Sequence, residues 1–328
     1  MSNALRFLKF LLWACLGLVA TAGALLGYFV YSPDAGIPGL SGSLTKETMA
    51  SGGLPRTYRV YVPHGLPKQA PLVMVLHGSG ENGSQIRMQT GYGFDRLADK
   101  RGFAVVYPDA YTFDWNDCSI VGDFAANGRN VDDVEFLSAL TDHLVHEIGL
   151  DPSRVYATGV SAGGFMSMRL ALEASPRFRA IAAVSANVPA PGNFKCRPAG
   201  PGTSVLIVNG TEDPLVPFGG GEVNLLGLFY KGGNVLSSRD SGQYFAELAK
   251  ISGMPEASQS SAADGVGVEQ LLWRNDSSLE VELVAIRGGG HGMPQAAWRR
   301  PRLLGPSPMA PDGPSLIWAF FERQRQRP

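Results

Sequence analysis

Val155-Tyr156-Ala157-Thr158-Gly159-Val160-Ser161-Ala162-Gly163-Gly164 runs from an apolar strand pattern through Gly-x-Ser-x-Gly into a helical one. The context says more than the motif. A serine on a sharp strand-to-helix turn takes up strained backbone angles, and glycines on both sides let neighbouring backbone pass without a Cβ clash. Such a turn lifts the Ser161 hydroxyl clear of the sheet. It also aims the Ala162 amide, at the positive end of a helix, toward a developing oxyanion. A glycine-rich turn that merely contains a serine has no reason to follow a buried strand and open a helix.

Working outward, short apolar runs alternate with amphipathic ones. Pro71–Leu76, Phe103–Tyr107, Ile181–Ser185, Ser204–Val208 and Leu279–Ile286 read as strands buried on both faces, and Thr57–Val62 as a strand stopped by Pro63. Residues 131–148 repeat Val134, Leu137, Leu140, Leu144 and Ile148 at helical spacing, and residues 162–173 and 315–323 are also expected to be helical. This alternation predicts an α/β fold, a mostly parallel central sheet with helices on both faces. One catalytic domain is expected over 53–328, after a Gly/Ser/Pro-rich linker at 32–52.

A serine hydroxyl needs a base to take its proton, and the base needs an orienting carboxylate. Behind a serine elbow the chain order is nucleophile, acid, base, each in a loop after a strand. Of the 5 histidines only His291 follows Ser161, in Arg287-Gly-Gly-Gly-His291 directly after a strand pattern. The run Val205-Leu-Ile-Val-Asn-Gly-Thr-Glu-Asp213 ends a buried strand with two carboxylates, and Asp213 is the expected acid, with Glu212 pointing away. The loop His77-Gly78-Ser79-Gly80 ends another strand and is expected to supply a second oxyanion amide from Ser79, with His77 as a structural residue. The glycine-rich, aromatic stretch 217–233, with Phe218 at its start, is read as a wall of the substrate site. The chemistry implied is acyl transfer through a covalent acyl-serine. It requires no metal or cofactor, and no Cys/His cluster has ligand spacing. A serine peptidase would use the same trio, and a non-catalytic envelope binding module would have no need to keep all three.

The remaining composition bounds the setting. The chain has 328 residues, 45% of them hydrophobic, with 28 Lys+Arg against 29 Asp+Glu. No basic block stands ready to neutralise phosphates, so no nucleic-acid partner is expected. Phe10 to Tyr31 carries no charge, and a helix of that length reaches roughly 33 Å, enough for a hydrocarbon core of about 30 Å. Arg6 and Lys9 precede it, which orients the rest of the chain outward. Residues 1–31 are therefore an uncleaved transmembrane anchor or a signal peptide cut near Ala20-Thr21-Ala22, and the domain is exported, periplasmic or extracellular, in either case. Export permits a disulfide. With Cys15 in the apolar segment, Cys118 and Cys196 can pair or remain two separate thiols.

With these residues in place, the chain resembles the secreted α/β-hydrolase esterases grouped as polyhydroxybutyrate depolymerases, feruloyl esterases and acetyl xylan esterases. The likeness rests on Leu54-Pro-Arg-Thr-Tyr-Arg-Val-Tyr-Val-Pro63, the His77 loop, Tyr107-Pro108-Asp109, Trp115-Asn116-Asp117, Val131-Asp132-Asp133-Val134, the elbow and Asn209-Gly-Thr-Glu-Asp-Pro214. It implies the triad Ser161, Asp213 and His291 and an ester substrate, polymeric in part of the group. One departure concerns substrate contact. Members often carry tryptophan shortly after the catalytic histidine, where this chain has His291-Gly292-Met293-Pro294. Met293, Trp115 and Phe218 are the expected substrate contacts.

Overall fold

The computed structural model describes residues 3–122, 128–200, 202–227, 230–274 and 279–324. After a helix α1 (Asn3–Val30) with no buried residue, the strands in chain order are β1 (Ser43–Ser51), β2 (Leu54–Val62), β3 (Leu72–Leu76), β4 (Ala104–Pro108), β5 (Val155–Val160), β6 (Ala180–Val184), β7 (Ser204–Gly210), β8 (Gly221–Glu222), β9 (Asn234–Val235), β10 (Glu256–Ser261), β11 (Gly267–Arg274) and β12 (Glu280–Ile286). Ten of them form one sheet in the order β1-β2-β4-β3-β5-β6-β7-β12-β11-β10, while β8 and β9 pair separately. The central strands β4, β3, β5, β6, β7 and β12 run parallel, and the two outer pairs add antiparallel edges.

Side-chain alternation divides the core into two layers. Leu72, Met74 and Leu76 lie on the sheet face covered by the helices α4 (Asp133–Ile148), α5 (Ala162–Glu173) and α6 (Ser238–Leu248), in one core layer with Leu140, Met166 and Phe245. Val73 and Val75 of the same strand face α2 (Gly83–Gln89), α3 (Gly93–Arg101) and α7 (Gly313–Arg323). There Trp318 stacks on Phe103 at 4.1 Å and Phe321 on Tyr156 at 4.7 Å. A strand buried on both faces needs apolar residues at every position, which is why these segments read as continuous runs.

The linker expected at 32–52 is shorter than that. Residues 43–51 form β1, paired along its whole length with β2 from Ser43↔Val62 to Ser51↔Leu54. Its Ser-Leu-Thr-Lys-Glu-Thr-Met-Ala-Ser sequence shows no apolar alternation because it is an edge strand, exposed at nearly every residue. The segment before it is tied to the domain as well. The Ser41 amide and hydroxyl both donate to Asp99, and the Gly42 amide donates to the Tyr61 hydroxyl at 2.8 Å.

Cys118 and Cys196 form a disulfide across 78 positions. It joins two loops that also meet through the Lys195 amide, which donates to the Cys118 carbonyl at 2.9 Å. Closing so long a loop removes much of the freedom of the unfolded chain, worth about 2–4 kcal/mol. The double variant Cys118→Ala/Cys196→Ala is therefore expected to melt about 5–10 °C lower in calorimetry. An unchanged Tm would show that the bridge carries no stability.

Candidate active site

β5 ends in a turn at Ser161, with φ 57° and ψ −124°, and α5 begins at the next residue. A non-glycine residue held there costs on the order of 1–3 kcal/mol. The surroundings hold it in place. The Ser161 amide donates to the Val184 carbonyl at 2.9 Å and its carbonyl accepts from the Phe165 amide at 2.9 Å. Its hydroxyl makes no capping bond to the helix. The flanking glycines are required by close approach: a Cβ on Gly159 would lie 2.3 Å from the Gly163 carbonyl carbon, and one on Gly163 would lie 2.3 Å from the Leu76 carbonyl oxygen.

β7 and β12 are neighbours in register, Gly210 beside Ile286, so the loops leaving their ends emerge together. This brings Asp213 against His291, with Oδ2 2.8 Å from Nδ1. The other carboxylate oxygen, Oδ1, accepts from the amides of Leu215 and Val216, each at 2.9 Å. Both side chains are buried, whereas Glu212 is exposed. Backbone bonds fix the histidine loop: the His291 amide donates to the Leu304 carbonyl and the Gly290 amide to the Pro306 carbonyl, both at 2.8 Å. Ser185, the residue after Val184, accepts the Gly292 amide on its Oγ at 2.8 Å and so links the elbow to the histidine loop. Among the described residues no hydrogen bond joins Ser161 Oγ to the ring, and Nε2 has no protein partner. Such bonds are often long without substrate and tighten in the complex.

The loop after β3 lies against the elbow, and a Cβ on Gly78 would stand 3.6 Å from that of Ser161. The Gly78 amide donates to Glu81 Oε2 at 3.0 Å and the Gly80 amide to the Phe113 carbonyl at 3.0 Å. The Ser79 amide between them has no acceptor among the described residues, and the Ala162 amide, first in its helix, has none within the helix. The Ser79 hydroxyl lies 3.2 Å from that of Tyr230 and also bonds Asp114, whose carboxyl burial pushes up.

His77 is fully buried beneath this loop. Its Nε2 accepts the Ala110 amide at 3.0 Å, which leaves Nδ1 to carry the proton toward the Gly78 carbonyl at 2.7 Å. Burial holds its pKa below the ordinary value. The unfolded chain protonates this ring below about pH 6.5 while the folded one keeps it neutral, so unfolding takes up a proton and stability is lost as pH falls. His77→Asn is expected to remove up to one proton, about 1.4 kcal/mol per pH unit, from the stability slope below pH 6.5. Denaturant melts at pH 5 and pH 7.5 measure it, and identical slopes in both proteins would contradict it.

Two expected substrate contacts are corrected. Trp115 is 1% exposed, its indole N–H donates to the His77 carbonyl at 2.9 Å, and its ring stands 5.1 Å from that of His77. It props the loop after β3 from below. Met293 is buried against α7 near Gly313 and belongs to the core, since the chain dives inward directly after Gly292. Phe218 is half-buried on the edge of the core, and Phe229 of the same expected wall lies outside the described residues. Sequence reading missed Glu81, which pins Gly78, and Ser185, which ties the elbow to the histidine loop. The Ser185 bond spans 107 positions and leaves no local pattern, whereas the Glu81 bond closes a turn of three residues that a carboxylate just after the His77 loop could have signalled. Among the described residues no group of three or more His, Cys, Asp or Glu could hold a metal ion.

Comparison with known proteins agrees with this architecture. Residues 56–192 match the family described as esterase PHB depolymerase. A protein of Nocardia uniformis subsp. tsuyamanensis named "Putative esterase NocK" is 30% identical over 286 residues, 84% of this chain and 81% of that protein. Feruloyl esterase C of Emericella nidulans is 27% identical, the match covering 81% of this chain and 83% of the enzyme. Poly(3-hydroxyalkanoate) depolymerase C of Paucimonas lemoignei is 30% identical over 42% of this chain, but that match spans only 31% of the depolymerase. In fold, the acetyl xylan esterase from Aspergillus awamori superposes with a TM-score of 0.55 at 16% identity, covering 76% of this chain and 94% of that one. The chain belongs to the PHB depolymerase family of esterases.

Proposed function

We propose that the protein is an exported serine esterase that hydrolyses carboxylic esters through an acyl-enzyme on Ser161. The observation that carries this reading is the buried Asp213–His291 pair, its Nε2 unspent, at the strand ends beside the elbow. Ser161 Oγ attacks the carbonyl carbon while His291 Nε2 takes its proton, and Asp213 holds the imidazolium that results. The amides of Ser79 and Ala162 donate to the developing oxyanion, each worth about 10²–10³ in rate. The alcohol leaves with the proton from His291, and water then attacks the acyl group by the same route. The names of the relatives support hydroxyalkanoate-type, feruloyl or acetyl esters, some on polymers, as substrates. We read α1, apolar enough to cross a membrane over Asn3–Val30, as a retained anchor with the catalytic domain outside.

The test is a panel: p-nitrophenyl acetate and butyrate, methyl ferulate, dispersed polyhydroxybutyrate and a peptide p-nitroanilide, offered to the full chain in mild detergent. Ester turnover with little amidase activity is expected. Faster cleavage of the anilide would favour a peptidase instead.

A further inference from the structure

The end of α1 does not swing free. Arg302 donates from Nη1 to the Tyr28 carbonyl at 3.1 Å and lays its guanidinium 4.2 Å from the Tyr28 ring centre. That carbonyl belongs to the last helical turn, which has no intrahelical donors left, and a cation is favoured there. The Ser32 hydroxyl donates to the Arg299 carbonyl, and Ala35 packs with Tyr92 and Trp298. Between this exit segment and the loop after His291 lies a cavity of about 490 Å³, whose walls include Tyr31, Asp34, Trp298, Arg299, Arg300 and Arg302.

Position and charge say what such a cavity faces. If α1 spans the bilayer, its end at Val30 lies at the outer headgroup level, where tyrosine and tryptophan collect. Arg299 and Arg302 are exposed, and among the described residues neither has a carboxylate within ion-pair distance. Among the described residues the carboxylate within ion-pair distance of Arg300 is Glu81, at 4.0 Å, with the Asp213 charge acting on it as well, and Asp34 is the one acid of the described wall. The Trp298 indole N–H is buried without an acceptor among the described residues. Guanidinium groups pair with phosphate through two parallel, charge-assisted donors.

We propose that this cavity seats the phosphate of an anionic phospholipid, with Arg299 and Arg302 as its ligands. The seat and the catalytic loop share a wall, because the carbonyls that hold His291 and Gly290 belong to Leu304 and Pro306. The histidine loop therefore sits at the bilayer surface, within reach of esters that partition there.

The inference rests on the retained-anchor reading, and the experiment separates the two. Full-length protein in detergent micelles is melted with added phosphatidylglycerol, phosphatidylcholine, glycerol 3-phosphate or inorganic phosphate. Phosphatidylglycerol is expected to raise Tm by about 3–5 °C and phosphatidylcholine by less than about 1 °C. In Arg299→Gln/Arg302→Gln the phosphatidylglycerol shift should fall to that of phosphatidylcholine, while p-nitrophenyl acetate turnover stays within about twofold. Equal shifts from the two lipids, a shift retained in the double variant, or the same shift from the soluble phosphates would each overturn the lipid seat. N-terminal sequencing of the exported protein tests the anchor alone: a chain starting after Ala22 removes that reading and the seat with it, whereas an intact anchor without lipid selectivity removes only the seat.

Discussion

Ser161→Ala is expected to lower turnover of p-nitrophenyl acetate by about 10⁵–10⁶-fold, because the triad acts as a unit and a missing nucleophile leaves only the oxyanion donors and substrate binding. The fold should not register the change. The Ser161 hydroxyl makes no capping bond, and alanine at φ 57° suffers the same backbone strain that serine already bears. Tm is thus expected to stay within about 2 °C of the parent. A fluorophosphonate probe, which forms one covalent bond to an activated serine, should label the parent protein with one equivalent and the variant with none. Full labelling of the variant would place the nucleophile elsewhere, and residual turnover above a few per cent would mean that water attacks the ester directly, without an acyl-enzyme.

How much of this was legible depended on whether a residue's role leaves a local signature. α5 adopts the bounds expected of it because the elbow marks its start and nearly every residue after it is small or apolar enough to be buried. The buried strands were legible for the opposite reason: apolar at every position, they admit no surface reading. The edges were not. β10, Glu-Ala-Ser-Gln-Ser-Ser, is exposed at every residue and is a strand only because it pairs with β11, whose register no local pattern encodes. The contacts around the site divide the same way. Asp213 and His291 each follow an apolar strand, so their loops could be found one at a time, while their meeting depends on β7 and β12 being adjacent. Trp115 failed as a substrate contact because an aromatic residue in a shared motif is equally suited to supporting a loop from beneath.

Asp213 divides its two carboxylate oxygens between different partners. Its Oδ1 is already taken by two amides, Leu215 and Val216, and only Oδ2 faces His291. In Asp213→Asn the amide oxygen must occupy the Oδ1 site, since an NH₂ placed there would oppose two N–H donors. The NH₂ group is then turned toward Nδ1 of His291, which can accept its proton only by moving its own to Nε2. A ring protonated at Nε2 cannot take the proton of Ser161. Turnover is therefore expected to fall by about 10⁴-fold near neutral pH, with the fold kept because the shape and both amide bonds survive. The loss should sit in kcat, since nothing that binds the ester has changed. It should also shrink at high pH, where hydroxide can do the work of the base. Asp213→Ala separates orientation from bulk, leaving the two amides buried without an acceptor and lowering Tm as well as rate. An Asp213→Asn enzyme that keeps a tenth or more of parental kcat would show that this carboxylate does not set the tautomer, and the acid would have to be sought on another loop.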